Sequence, residues 1–302
     1  MSAPLVSVLI PTYNSAKFLE EAIESVLNQT LRDFELIIVD DGSEDKIQDV
    51  IKRFDGRLQY HKRPHEGRPA ARNVALELAR GEYVAFLDAD DLWEENRLAR
   101  GVSVLNESPE IGLVHGEITV IDEAGQLVPQ ETRRAKRLFQ REHAKGAGYF
   151  RLLDAQSLIL SSTVLFRKKC LEQVGRFDPA FPVYEDYDWY LRFAFYFPFF
   201  LLDGPAVTKY RLHAKNSFTE FNSESVAKIY LSILEKQLVL LQKDGDSARN
   251  RTRRSRVLKK MTEFHWRLKE KKEVKNKLLE AARLDSSILL DWRVFQRFIF
   301  SL

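Results

Sequence analysis

Cysteine is all but missing from this chain: Cys170 stands alone among 302 residues. That excludes an internal disulfide and any cysteine-cluster metal site, and it fits a reducing compartment. Long apolar runs are missing too. The longest, residues 193–202, carries Pro198 and falls well short of the roughly 20 residues that a membrane-spanning helix needs. Met1-Ser2-Ala3-Pro4 leads straight into a strand-like segment with no basic region before it, so no signal peptide is expected. Charge of one sign is barely in excess, with a formal net charge of +3 and a pI near 8.8. Such a balance suits an anionic substrate or a membrane surface and does not by itself argue for nucleic acid. No Gly-x-Gly-x-x-Gly follows the first strand-like run, which removes a Rossmann dehydrogenase, and no internal repeat is visible. The remaining expectation, at 44% hydrophobic and 30% charged residues, is a cytoplasmic protein, soluble or peripheral on the inner face of the membrane. Its length allows one large or two modest domains.

Strand-like and helix-like segments alternate through the opening of the chain. Residues 5–10, 34–39, 58–61 and 83–87 are short apolar or β-branched runs, and segments 15–28, 45–54 and 69–79 between them read as helices. In 15–28 the helical spacing shows in Phe18, Ala22 and Val26. The pattern implies an α/β fold: a Rossmann-like mixed, mainly parallel sheet with helices on both faces. Ligands of such sheets bind beyond the carboxyl ends of the strands. Those ends read Pro11-Thr12-Tyr13-Asn14, Asp40-Asp41-Gly42-Ser43 and Asp88-Ala89-Asp90-Asp91. Further on, the spacing predicts a helix over 94–105, a strand over 112–121 and a turn at Glu123-Ala124-Gly125. The polar segment 128–148, with Arg133, Arg134, Lys136, Arg137 and Arg141, reads as a mobile loop. Order is expected again over 158–166, in a helix over 185–196 and in strands over 199–202 and 206–212. From residue 223 a C-terminal helical segment is expected, with Val257, Met261, Phe264 and Leu268 along one face.

Asp88 and Asp90, at i and i+2 after a strand, point the same way and can share one cation. Hard oxygen ligands suit Mg²⁺ or Mn²⁺, held by one or two carboxylates and substrate phosphates. A solvated acidic turn has the same local sequence. Asp40 and Asp41 can accept hydrogen bonds from a nucleobase or ribose, or they open a turn before a helix. Tyr13 can stack on a base or pack on the first helix. Glu185, Asp186 and Asp188 precede apolar, aromatic sequence that would raise a carboxylate's pKa, as a general base needs; equally, such acids complement the positive end of a helix.

These segments together, in this order, resemble glycosyltransferase family 2, the inverting enzymes of GT-A fold. The resemblance runs from Val6-Ser7-Val8-Leu9-Ile10-Pro11-Thr12-Tyr13-Asn14 through Ile37-Ile38-Val39-Asp40-Asp41-Gly42-Ser43, the stretch from Gly67 to Ala71-Arg72-Asn73, and Phe86-Leu87-Asp88-Ala89-Asp90-Asp91. It continues through Val174-Gly175-Arg176-Phe177-Asp178, Glu185-Asp186-Tyr187-Asp188-Trp189 and Tyr210-Arg211-Leu212-His213. The resemblance implies a GT-A domain over residues 1–217, in which residues 1–110 bind the nucleotide sugar and residues 111–217 bind the acceptor, followed by a helical segment 218–302. It implies that Pro11, Tyr13, Asp40, Asp41 and Arg72 bind the nucleotide. Asp88, Asp90 and His213 would hold a divalent cation, Mn or Mg. Asp186 would be the catalytic base, with Glu185 and Trp189 at the acceptor. The donor would be a nucleotide-diphosphate sugar, UDP-linked by default, and the acceptor a glycan or lipid-linked hydroxyl in polysaccharide or glycoconjugate synthesis. His65-Glu66-Gly67 departs from the family, many members having Asn where His65 stands.

Two other function classes compete. A haloacid-dehalogenase-type phosphatase would use Asp88 as nucleophile, but it wants a small hydroxyl residue where Asp91-Leu92-Trp93 follows. A non-catalytic nucleotide-sugar-binding or scaffold protein would have lost the acid at Asp186. Outside the resemblance, residues 288–302 would form a helix with Ile288, Trp292, Phe295, Ile299 and Leu302 on one face. That face suits burial within the chain, a homo-oligomer contact or the membrane interface. Upstream, Arg249, Arg251, Arg253, Arg254, Arg256, Lys259 and Lys260 suit anionic lipid; no aromatics interleave them for nucleic acid.

Overall fold

The computed structural model describes residues 3–143, 148–149, 152–153, 159–214 and 223–290. The chain divides into two compact units, Met1–Arg151 with Ser157–Ala214, and Leu152–Gln156 with Lys215–Leu302.

The first unit is built on β1 (Val6–Thr12), all of whose residues are buried. A strand with no polar face belongs in the middle of a sheet covered on both sides. It pairs in parallel with β2 (Phe34–Asp40) and with β4 (Tyr83–Phe86), and β2 carries β3 (Gln59–Lys62) in parallel on its outer edge. Beyond β4, β8 (Leu165–Arg167) runs antiparallel to both β4 and β6 (Leu113–His115), and β9 (Phe199–Leu201) closes the sheet parallel to β6. The order is β3-β2-β1-β4-β8-β6-β9. A second sheet has β10 (Thr208–Arg211) between β5 (Leu92–Trp93), antiparallel to it, and β7 (Ile118–Ile121), parallel to it. Segment 112–121, expected as one strand, is thus split between two sheets. Gly116 marks the break: a Cβ there would lie 2.4 Å from Val207 Cγ2, so glycine alone admits the approach of Val207.

Helix α1 (Ala16–Leu27) buries Phe18, Leu19, Ala22, Ile23 and Val26, and Leu19, Ala22, Ile23 and Val26 join Val6, Val8 and Ile10 in one core. The expected helix over 45–54 is a short α2 (Ile47–Ile51) that tightens into a 3₁₀ turn, Lys52–Phe54. Helices α3 (Arg68–Leu78) and α4 (Arg97–Glu107) follow as the spacing predicts. The segment expected as a mobile loop is mostly helix, α5 (Pro129–His143). After Pro129, whose fixed φ suits a first helical position, no glycine or proline interrupts it and most residues are strong helix formers. Thr132 Oγ1 accepts the Val120 amide at 2.9 Å and ties α5 to β7, leaving Arg133, Arg134, Lys136 and Arg137 exposed. A short α6 (Leu171–Val174) and α7 (Glu185–Tyr196) complete the unit.

The second unit is helical: α8 (Ser223–Lys243), α9 (Ala248–Arg267) and α10 (Lys271–Leu284). Ser247 caps α9 by accepting the Asn250 amide at 3.2 Å. Val257, Met261 and Phe264 are buried as their spacing predicts, while Leu268 ends the helix half-buried. The Tyr230 ring stacks on Phe264 at 4.8 Å. A 3₁₀ turn, Ser286–Leu290, follows; the rest of the helix expected over 288–302 lies outside the described residues. Among the described residues no helix is long and apolar enough to cross a membrane.

Candidate active site

Parallel register brings the strand ends together, Thr12 facing Asp40 across β1 and β2 and Leu9 facing Phe86 across β1 and β4. The first two loops are laced to each other. Asn14, in left-handed backbone at φ 50°, donates its amide to Ser43 Oγ at 2.8 Å, and its Oδ1 accepts the Glu44 amide at 2.9 Å. Pro11 is buried in β1. Asp40 is buried with both oxygens engaged, accepting from the Ser43 amide at 2.8 Å and the Tyr60 hydroxyl at 2.5 Å. Asp41 accepts the amides of Glu66 at 3.2 Å and Gly67 at 2.8 Å and pairs with Arg63 at 3.2 Å. Gly67 has φ 94°, a conformation that glycine adopts without strain. Tyr13 faces outward, 44% exposed, with the His65 ring stacked on it.

The acidic end of β4 is sorted by depth. Asp88 is 39% exposed and accepts from Arg72 at 3.2 Å. Asp90 faces His213, Oδ2 to Nε2 at 2.8 Å, and the imidazole lies against Phe18. Asp91 is buried, accepting from the Ser162 hydroxyl at 2.5 Å and the Arg211 amide at 3.0 Å. Burial and the neighbouring Asp88 charge raise the Asp90 carboxyl; burial and the charges of Asp90 and Asp88 raise Asp91 well above the usual carboxylate range. Two of the groups that organise this corner escaped sequence reasoning. Ser162 Oγ also accepts the Asp88 amide at 3.0 Å, and Arg211, fully buried, donates Nε to the Asp90 carbonyl at 2.9 Å and pairs with Glu21 at 2.8 Å. Arg211 had a signal, its place in Tyr210-Arg211-Leu212-His213. Ser162 had none: it is held here by Trp93, whose Nε1 donates to the Ser162 carbonyl at 2.7 Å.

Among the described residues no group of three or more His, Cys, Asp or Glu side chains is arranged to hold a metal ion. The donor chemistry still fits an open site. Two hard carboxylates, 39% and 28% exposed, with an imidazole against one of them, suit a Mg²⁺ or Mn²⁺ ion that draws its other ligands from phosphate and water.

The facing wall is the start of α7. Tyr184 caps it in left-handed backbone, φ 59°, a strained conformation for a non-glycine residue that sets Glu185 and Asp186 in the first turn. Glu185, expected at the acceptor, is instead fully buried, accepting from Arg72 at 2.7 Å with Arg68 at 3.8 Å. Asp186 is half-buried, its Oδ1 accepting the Tyr187 amide at 2.7 Å. Burial raises both carboxyls, and the charges of Arg72 and Arg68 pull both back. Arg72 is itself buried, lies over the rings of Phe86 and Phe177, and is held protonated by Glu185, Asp88 and Asp186. It therefore joins the β4 acids to the start of α7. Trp189, also expected at the acceptor, is fully buried, stacked on Phe177 at 5.1 Å with Nε1 donating to the Gly175 carbonyl at 3.0 Å. It supports the wall from behind. Asp188 is committed to Arg192 at 2.8 Å.

The profile of glycosyl transferase family 2 matches residues 7–175. The chain belongs to that family. Membership removes the phosphatase alternative. An uncharacterized glycosyltransferase of Methanocaldococcus jannaschii is 34% identical over 204 residues, 64% of this chain and 65% of that protein. One of Nostoc is 34% identical over 189 residues, 58% of this chain and 54% of its own. The chain thus spans between about half and two thirds of the length of these relatives. Among solved structures, S. aureus TarS 1–349 in complex with UDP-GlcNAc superposes with a TM-score of 0.68 at 20% identity, covering 98% of this chain and 88% of that one. The mannosyltransferase PcManGT of Pyrobaculum calidifontis, in complex with GDP-Man and Mn²⁺, gives 0.55 at 18% identity, covering 100% and 85%. The GT-A α/β fold expected from the sequence is the one found.

Proposed function

We propose that this family-2 chain transfers a sugar, with inversion, from a nucleotide-diphosphate sugar to an acceptor hydroxyl. The observation that carries the reading is Arg72, which bridges Asp88 at the metal-type end of β4 to Glu185 beside Asp186. Asp186 takes the proton of the acceptor hydroxyl as that oxygen attacks the anomeric carbon, and its burial makes it a stronger base than an exposed carboxylate. Glu185 and Arg72 act through position, Arg72 keeping a fixed positive charge where a diphosphate leaves. Asp88 and Asp90 would hold the divalent cation, with His213 against Asp90 either as a further ligand or as its orienting partner. When bound, that cation neutralises charge developing on the diphosphate. The complexes named for TarS and PcManGT, with UDP-GlcNAc and with GDP-Man and Mn²⁺, support a nucleotide-sugar donor and a divalent cation here. A panel of nucleotide sugars, assayed for hydrolysis with Mn²⁺, with Mg²⁺ and with EDTA, tests the proposal. A scaffold protein would bind one and hydrolyse none.

Asp90→Asn should lower transfer on the order of a hundredfold with the melting temperature nearly unchanged, since it removes a charged ligand but keeps the side-chain shape. Full activity in EDTA would sink the metal assignment.

For the acceptor we propose a glycan or lipid-linked hydroxyl near anionic groups, met in the cytoplasm or at the membrane's inner face. Arg133, Arg134 and Arg137 line a cavity of about 430 Å³ on α5 with Gln130 and Leu138, and α5 is tied to β7 in the small sheet whose β10 leads to His213. Replacing the three arginines with glutamine should weaken acceptor use about fivefold more than donor hydrolysis, the scale of a few exposed charge contacts. Equal effects on both reactions would leave the helix a solvated face.

A further inference from the structure

His65 stands where the family resemblance leads one to expect asparagine, and its ring makes two contacts at once. It stacks on Tyr13 with centroids 4.1 Å apart and planes 20° from parallel. Its Nδ1 lies 2.8 Å from Asp41 Oδ2 and 3.0 Å from the Asp41 carbonyl oxygen. Both neighbours only accept, so Nδ1 carries the hydrogen and donates it. A flat ring on Tyr13 with a ring N–H aimed at the Asp41 carboxylate is what a uracil or guanine base would present at the same place.

We infer that His65 is an internal stand-in for the nucleobase, and that the donor binds by displacing its ring from Tyr13 and Asp41. This rests on the nucleotide-sugar reading above. The surroundings allow the exchange. The imidazole is 53% exposed, so it can rotate into water. The backbone cannot follow it: the Arg63 amide donates to the Asp40 carbonyl at 2.9 Å, and the Glu66 and Gly67 amides are held by Asp41. Gly42, at φ 83°, sits so close that a Cβ on it would lie 2.8 Å from the His65 backbone nitrogen. The motion is therefore a side-chain rotation on a fixed loop. Asp41 stays in place afterwards, because those two amides and Arg63 still hold it. Its carboxylate would then face the vacated position, ready for the N–H of a base.

A ring that must leave before the base arrives lowers apparent affinity by the fraction of molecules in which the place is open. Isothermal titration of UDP and of GDP, each with Mn²⁺, into wild type and His65→Ala reads this directly. The nucleotide that binds should bind about tenfold more tightly to the variant. His65→Asn, which can bond Asp41 but cannot stack, should fall between the two. In wild type the His65 Hε1 resonance, shifted by the Tyr13 ring current, should return to its solvent-exposed position as nucleotide is added. Affinity unchanged or weakened in His65→Ala, or a resonance that does not move, overturns the inference while the donor reading stands. Binding of neither nucleotide to either protein overturns both.

Discussion

Asp186→Asn should bind its nucleotide sugar about as well as wild type and transfer sugar roughly a thousandfold more slowly, within the range expected for losing a general base. Asparagine keeps an oxygen to accept the Tyr187 amide, so the first turn of α7 should hold. Only the capacity to take a proton is lost. The pH dependence follows from the direction of the shift. Burial raises the Asp186 carboxyl above the ordinary value, and only its deprotonated form is a base. Transfer should therefore fall on the acid side at a pH higher than an exposed aspartate would give. A pH–rate profile at saturating donor, together with calorimetric binding to the variant, separates the two effects. Turnover retained in Asp186→Asn would remove Asp186 from the chemistry. The role could not then pass to Asp188, since that side chain is ion-paired with Arg192 and fully buried.

The burial of Glu185 and Trp189 has a geometric cause. The family resemblance puts Glu185 and Trp189 at the acceptor beside Asp186, yet a helix turns about 100° per residue, so sequence neighbours point in different directions. Glu185 and Trp189 are both fully buried, while Asp186 between them is only half-buried. The three strand ends were legible because β1 and β2 are nearly all apolar and stop at polar residues, a pattern that needs no distant partner. Other features do need one. The break at Gly116 is decided by Val207, and the place of Ser162 by Trp93. Helix α5 differs from its sequence reading for another reason: its run of exposed charge suggests a loop, whereas its many strong helix formers and the lack of glycine or proline after Pro129 favour a helix.

Arg72→Met should have the largest effect on stability, about 3–5 kcal/mol, the cost of stripping a buried charge of its partner. Glu185 would remain at 0% exposure with only Arg68, 3.8 Å away, to answer it. The sign with pH is fixed by the raised Glu185 carboxyl. A carboxyl raised above its unfolded value contributes most to stability at low pH, and that contribution is lost as pH rises through its folded value. Without Arg72 the Glu185 carboxyl should rise further, so the deficit of the variant should be greatest near neutral pH and shrink as pH is lowered. Thermal melts across that range test the direction. A second substitution separates structure from function. Arg72→Met with Glu185→Gln removes both charges and should recover much of the lost stability, as neutralised buried pairs often do. It should not recover transfer, because the positive charge beside Asp88 and Asp186 is still gone. If the double variant regains activity along with its fold, Arg72 serves only to balance Glu185, and the bridge between the two walls of the site plays no role in the reaction.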